Sequence, residues 1–257
     1  GIWGEEKANI TIEDSGAVRV VGKEAVKDSK QRIFNYRLTD KYFVSGGPTN
    51  NGGVIFEWFT KQFGDFKSAF DSEYAMEQLV ADAMSIPPGS DGLLFLPYLL
   101  GERAPIWNPN ARGGYFGVNI KHERNHFVRA TIEGILYEIY NIGKSLQEFR
   151  NFKELTVNGS FASLPFCTQI VADIFSKPVS IGENPDSIAQ GAFLLSATDL
   201  GIFQNLDEAA RSVVLSTTYK PQRQNHELYQ KYFSIFENLS SKLSDEFEEL
   251  ANLQQEN

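Results

Sequence analysis

The chain has one cysteine, Cys167, in 257 residues. One thiol forms no internal disulfide, so the fold must rest on a packed core, and such cysteine usage fits a reducing compartment. Long apolar runs are also absent. No stretch approaches the roughly 18 residues that cross a bilayer, and the expectation is a cytoplasmic protein without membrane contact. No secretory signal is seen, but the chain opens at Gly1 directly before a strand-like segment, which leaves open a targeting peptide upstream of a fragment. Histidine is scarce: His122, His126 and His226 are the full set. His122 and His126 stand four apart at a helix start, a spacing that can chelate, but no carboxylate or cysteine nearby completes a ligand set, and no metal site is assigned. Positive charge is in deficit, with 24 Lys and Arg against 33 Asp and Glu and a net charge of −9. That argues against a broad nucleic-acid-binding face. It does not exclude a small anion held by backbone N–H groups.

What is present is enough for a substantial core, in one large domain or two small ones, with 42% hydrophobic residues. Ile10, Ile12, Val18 and Val20 alternate with polar residues, and "QRIFNYRL" and "KYFVSGG" follow after short connections, which predicts an antiparallel meander. "GGPTNNGGVIFEWFTKQF" switches to helical period, with Val54, Ile55, Trp58, Phe59 and Phe63 on one face. A second helix is expected over about 73–84, ended by Pro87 and Pro88. "LLFLPYLLG" reads as a buried strand, and "YFGVNI" as a short one. Residues 123–149 keep the 3.6 period of a long helix.

The second half alternates strand and helix. "ELTVNGS" leads through a small-residue turn into "LPFCTQIVADIF", and "KPVSIGE" precedes "DSIAQGAFLLSATDLG", with Asp186 or Ser187 as N-cap and Gly201 as stop. A meander followed by that alternation predicts an α/β domain with a sheet of mixed strand directions. The tail, about 223–253, reads as one amphipathic helix with Leu228, Tyr232, Ile235, Phe236, Leu239, Leu243, Phe247 and Leu250 in its stripe. Docking on its own domain is favoured over a dimer seam, because the stripe lacks a/d heptads.

Three turns raise the question of chemistry. "TVNGSFASLPF" is strand, turn, helix, and small residues there let backbone N–H groups approach a phosphate. "GGPTNNGGVIFEW" is a second such turn. The tip Glu13-Asp14-Ser15-Gly16 is the third, and taken locally it is a hairpin loop with Gly16 left-handed. Any αβ unit needs such turns, so each has a bland reading as well as a functional one. "GERAPIWNPNARGG" puts Glu102, Arg103 and Arg112 in a stiff loop beside an apolar strand. It is read either as a ligand-facing loop or as an internal ion pair.

These segments together resemble the C-terminal domain of FGGY-family carbohydrate kinases. "LLFLPYLLGERAPIWNPNARGGYFGV" is similar to the family's hallmark stretch and "RATIEGILYEIYNI" to the helix after it. "TVNGSFASLPFCTQIVADIFSKPV" resembles the adenosine-phosphate segment and "SIAQGAFLLSATDLG" the closing helix. The likeness covers nearly the whole chain in order, and "GGPTNNGGVIFEW" with the tail looks most like gluconate kinases, xylulose kinases being next. The resemblance implies an actin-like, ribonuclease-H-like fold with a mixed five-stranded sheet flanked by helices. It also implies an N-terminal sugar-binding domain absent from these residues, and a catalytic carboxylate expected upstream of Gly1. ATP with its Mg is the implied cosubstrate and a sugar or sugar acid the acceptor. Homodimerisation stays open.

The resemblance further implies a nucleotide site made by Glu13, Asp14, Ser15, Gly53, Glu57, Gly159, Ser160 and Leu164. Glu102 and Arg103 are expected near the cleft with no assigned step. Several of these depart from the family pattern. Glu13 and Asp14 stand where Gly-Thr meets the phosphates, Ser160 where a second glycine is usual, and Leu164 where a Ser or Asn near the adenine is usual. Cys167 replaces a frequent Trp. An acid about 4 Å from a phosphate oxygen costs roughly 1 to 4 kcal/mol. The alternative expectation is therefore a kinase-derived domain with impaired ATP binding that serves as an interaction module.

Overall fold

The computed structural model describes residues 3–63, 72–160, 164–184 and 186–255. β1 (Lys7–Ile12) and β2 (Gly16–Gly22) form a hairpin, and β3 (Phe34–Arg37) and β4 (Phe43–Thr49) follow. After helices α1 (Gly53–Phe63) and α2 (Ser72–Met84) come β5 (Leu94–Leu96) and β6 (Gly114–Phe116). The long helix α3 (Arg124–Gln147) leads to β7 (Glu154–Asn158), α4 (Pro165–Phe175), β8 (Val179–Gly182) and α5 (Ser187–Asp199). The chain ends with α6 (Leu206–Arg211), β9 (Leu215–Tyr219), α7 (Arg223–Lys242) and α8 (Ser244–Gln255).

The expected mixed sheet forms, but with seven strands among the described residues rather than five, in the order β3-β4-β2-β1-β7-β8-β9. β1, β7 and β8 run parallel, and the remaining pairs are antiparallel. The first four strands are not a simple meander, because β4 pairs with both β2 and β3 and pushes β3 to the edge. β9 was not anticipated. Its residues are almost all exposed, so it lacks the apolar alternation that marks a strand packed on one face. β5 and β6 pair only with each other; the apolar run at 93–96 is buried as expected, under α3 rather than in the main sheet.

Register sorts the sheet into two faces. Ala8 pairs with Val20 and Leu155, and Ile10 with Val18 and Val157, so one face is an apolar grid. α3 and α4 cover it, and α3 buries Ile132, Ile135, Ile139 and Ile142 there. The other face carries a polar row that crosses five strands: Arg19, Asn9, Thr156, Ser180 and Thr218 occupy successive paired positions. Asn9 donates to Thr156 Oγ1 at 3.1 Å, and the Ser180 and Thr218 hydroxyls are 2.8 Å apart.

The tail is two helices, not one, with Leu243 between them at φ −93° and ψ 10°. Its buried stripe also differs from the expected one. Tyr229, Phe233, Phe236, Phe247 and Ala251 enter the core, whereas Ile235 and Leu250 are about half exposed. Tyr229, Phe233 and Phe236 meet Tyr137 of α3 ring to ring, so the tail's apolar side is used within the chain.

Candidate functional site

The three suspect turns lie far apart in sequence and meet in the fold. β1 and β7 run parallel and in register, so their C-terminal ends bring residues 13–15 beside 158–160. β2 pairs with β4, and Gly16 faces Thr49, which brings the same tip beside the start of α1.

The tip is a three-residue loop closed by Glu13 N–H donating to Ser15 O at 2.9 Å. Gly16 is not left-handed, contrary to expectation. It is needed for space: a Cβ there would lie 2.7 Å from Ile139 Cδ1 and 2.9 Å from Thr49 Cγ2. The tip's carbonyls are fully engaged. Gly53 N–H donates to Glu13 O at 2.6 Å, and the N–H groups of Gly52 and Val54 donate to Asp14 O at 3.1 and 3.2 Å. The free N–H groups that open a helix are its usual anion seat. At α1 those of Gly52, Gly53 and Val54 are taken by the hairpin tip, so this turn does not offer them to a phosphate.

The turn after β7 differs. Gly159 sits at φ +95°, and a Cβ on it would meet Ile12 O at 2.2 Å and Glu13 Oε1 at 3.1 Å. The bare glycine lets the Glu13 side chain lie against the turn, where its Oε2 accepts from Ser160 N–H at 3.1 Å. A carboxylate from the first turn is thus seated on an amide of the third.

Glu13, Gly159 and Ser160 line a cavity of about 730 Å³ that runs over the polar face of the sheet toward α5. Asn9, Arg19, Thr156, Asn158, Ser187 and Gln190 line it as well. These were missed in the sequence, although each β1, β2 or β7 member occupies a polar position of a strand alternation and register alone groups them. Arg19 Nη1 donates to Thr11 Oγ1 at 3.2 Å, and burial lowers the guanidinium pKa. Asn158 Nδ2 donates to Ser187 Oγ at 2.8 Å, while its Oδ1 is buried with no hydrogen-bond partner among the described residues.

The other anticipated residues lie elsewhere. Asp14, Ser15, Gly53, Glu57 and Leu164 are not among those lining the cavity. Gly53 packs under the tip, Glu57 is exposed one turn along α1, and Leu164 is partly buried against the core just before α4. The Cys167 thiol is fully buried, and burial raises its pKa.

Glu102 does not line this cavity. It is 2% exposed and holds the loop together. Oε2 accepts from Thr49 Oγ1 at 2.7 Å and Asn51 Nδ2 at 2.9 Å; Oε1 accepts from the N–H groups of Arg103 and Asn50 at 2.6 and 3.3 Å. Burial raises its carboxyl pKa, and these bonds pull it back down. Arg103 does not pair with it through the guanidinium, which instead donates to Thr49 O at 2.7 Å. Arg112 turns to the tail, donating to Gln254 Oε1 at 2.8 Å. The histidine pair has a carboxylate beside it that the sequence did not indicate, Asp91. His126 Nδ1 accepts from Glu123 N–H at 3.0 Å and so closes the first turn of α3, and its Nε2 is 3.2 Å from Asp91 Oδ2.

A mixed sheet with one helix-covered face thus carries strand-end turns at one end of a cavity. Residues 8–200 match the model of the FGGY family of carbohydrate kinases, C-terminal domain, and the chain belongs to that family. It is 36% identical over 252 residues to the gluconokinase of Bacillus subtilis, covering 95% of this chain and 49% of that protein. Among solved structures, xylulose kinase from Lactobacillus acidophilus superposes with a TM-score of 0.88 at 29% identity, over 96% of this chain and 49% of that one. Gluconate kinase from the same organism gives 0.87 at 29%, with the same coverage. The chain spans about half the length of the curated relatives it matches.

Proposed function

We propose that the chain is the C-terminal, nucleotide-binding half of an ATP-dependent carbohydrate kinase, with gluconate as the first candidate acceptor and xylulose as the second. The observation that carries this is the meeting of Glu13 with the 158–160 turn in the wall of one cavity, between strands β1 and β7 that sequence alone leaves 147 residues apart. The turn at Gly159 and Ser160 supplies backbone N–H, Arg19 supplies positive charge in the same cavity, and Asn158 and Ser187 line it as a hydrogen-bonded pair. In this reading these groups hold the phosphates and ribose of Mg-ATP, and the domain forms one jaw of a closure that excludes water. The sugar and the carboxylate that takes the hydroxyl proton belong to the other half, and the whole protein is cytoplasmic. No helix among the described residues is long and apolar enough to cross a membrane.

A second reading has specific support. The Glu13 carboxylate already occupies Ser160 N–H, which favours a domain with weakened nucleotide affinity acting as an interaction module. Calorimetric titration of the chain with Mg-ADP separates the two. Dissociation constants from micromolar to low millimolar are expected, and no heat up to several millimolar overturns the kinase reading. The chain alone, given ATP and gluconate, should form no phosphorylated product.

A further inference from the structure

A carboxylate and a phosphate ask the same thing of a turn: backbone N–H groups aimed at an anionic oxygen. The Glu13 carboxylate already has this arrangement. Its Oε2 is 3.1 Å from Ser160 N, and its Oε1 lies against the bare face of Gly159, 3.1 Å from where a Cβ would stand. It enters from a tip whose backbone cannot yield, because the tip's carbonyls accept from Gly52, Gly53 and Val54. The side chain is exposed and the turn it touches opens on the cavity. A nucleotide phosphate that takes Ser160 N–H must therefore move this side chain and then lie beside its charge.

We propose that Glu13 is an internal competitor for the phosphate seat, a residue that sets nucleotide affinity by occupying Ser160 N–H until a polyphosphate displaces it. This rests on the nucleotide-site reading above and names the residue that tunes it. Glu13, not Asp14, has this role: only Glu13 lines the cavity, and Asp14 engages α1 through its backbone carbonyl. The contact is made by a side chain on a fixed turn, so displacement needs rotation about side-chain bonds and no backbone change. An adenosine without phosphates has no means to compete, so the penalty falls on the anionic part of the ligand.

The test titrates Mg-ADP and adenosine into the intact chain and into Glu13→Gln, Glu13→Ala and Asp14→Thr, with thermal melts to verify folding. Glu13→Ala should bind Mg-ADP about five-fold or more tightly than the parent chain, five-fold being roughly what one water-screened charge contributes at contact distance. Glu13→Gln, which keeps an acceptor but loses the charge, should fall between, Asp14→Thr should gain less than Glu13→Ala, and adenosine should be indifferent to all three. In 15N spectra without ligand, the Ser160 amide should move in Glu13→Gln, and Mg-ADP should move it in the parent chain. Equal or weaker Mg-ADP binding by Glu13→Ala overturns the competitor while leaving the nucleotide site standing. Absence of binding by every variant overturns both. Weaker binding with a steeper Mg dependence assigns Glu13 to the metal side of the nucleotide instead, and also overturns it.

Discussion

Two glutamates flank the end of β4, and they show how burial decides what an acid is for. Glu102 reaches Thr49 from one side, is 2% exposed and accepts four hydrogen bonds. Glu13 stands across the sheet on the tip that begins opposite Thr49, is exposed, and accepts from Ser160 N–H. Both carboxylates bind backbone N–H at turns. The first cannot leave without stranding its donors away from water, so it is architecture. The second loses little by leaving, since water replaces its partner, so it is available for exchange with a ligand.

That contrast can be broken by experiment, most sharply at Glu102. Glu102→Ala should destabilise the fold by about 3 kcal/mol, because Thr49, Asn50, Asn51 and Arg103 lose an acceptor in a buried setting; urea unfolding followed by circular dichroism measures this. A loss below about 1 kcal/mol would make the two acids alike. Gly159→Ala should cost about 2 kcal/mol, since its φ of +95° and the Ile12 carbonyl 2.2 Å from the new Cβ both oppose a side chain. The same change should expel Glu13 from the turn, seen as a shift of the Ser160 amide.

Asp28 is an intermediate case. Its hydrogen bonds with Arg32 depress its pKa to about 2, below the usual value near 3.9 of an unfolded chain. Its contribution is therefore complete above about pH 5 and lost as pH falls toward 2. It should amount to about 1 kcal/mol after screening. Asp28→Asn should flatten that part of the stability-against-pH curve. Smallest of all, Glu13→Gln should change stability by less than about 0.5 kcal/mol, even as it alters ligand affinity. A large loss of stability there would place Glu13 with Glu102.

Much of the fold was legible because apolar spacing reports burial on one face. The long helix α3 and most of the order of strands and helices follow from that, and residue type narrowed the cap of α5 to Asp186 or Ser187, of which the structure uses Asp186. What escaped was set by partners distant in sequence. β9 is nearly all exposed and takes its place from pairing with β8 alone. The break at Leu243 has no glycine or proline to announce it. Gly16 was given a conformational reason when its reason is the proximity of Ile139, 123 residues later. At the site, the meeting of turns came from the family likeness, whereas the seat of Glu13 on Ser160 and the polar row from Arg19 to Thr218 required register. Glu102 was legible as a loop residue, but its four donors show it facing inward.

The tip's bonding to α1 has a consequence for how this site can change over time. Because Gly52, Gly53 and Val54 hold the carbonyls of residues 13 and 14, the main chain there is indifferent to which side chains it bears. Under the proposed competition at Ser160, position 13 can acquire or shed a charge in a single nucleotide-level step without disturbing these backbone bonds, so nucleotide affinity would be adjustable with little effect on stability.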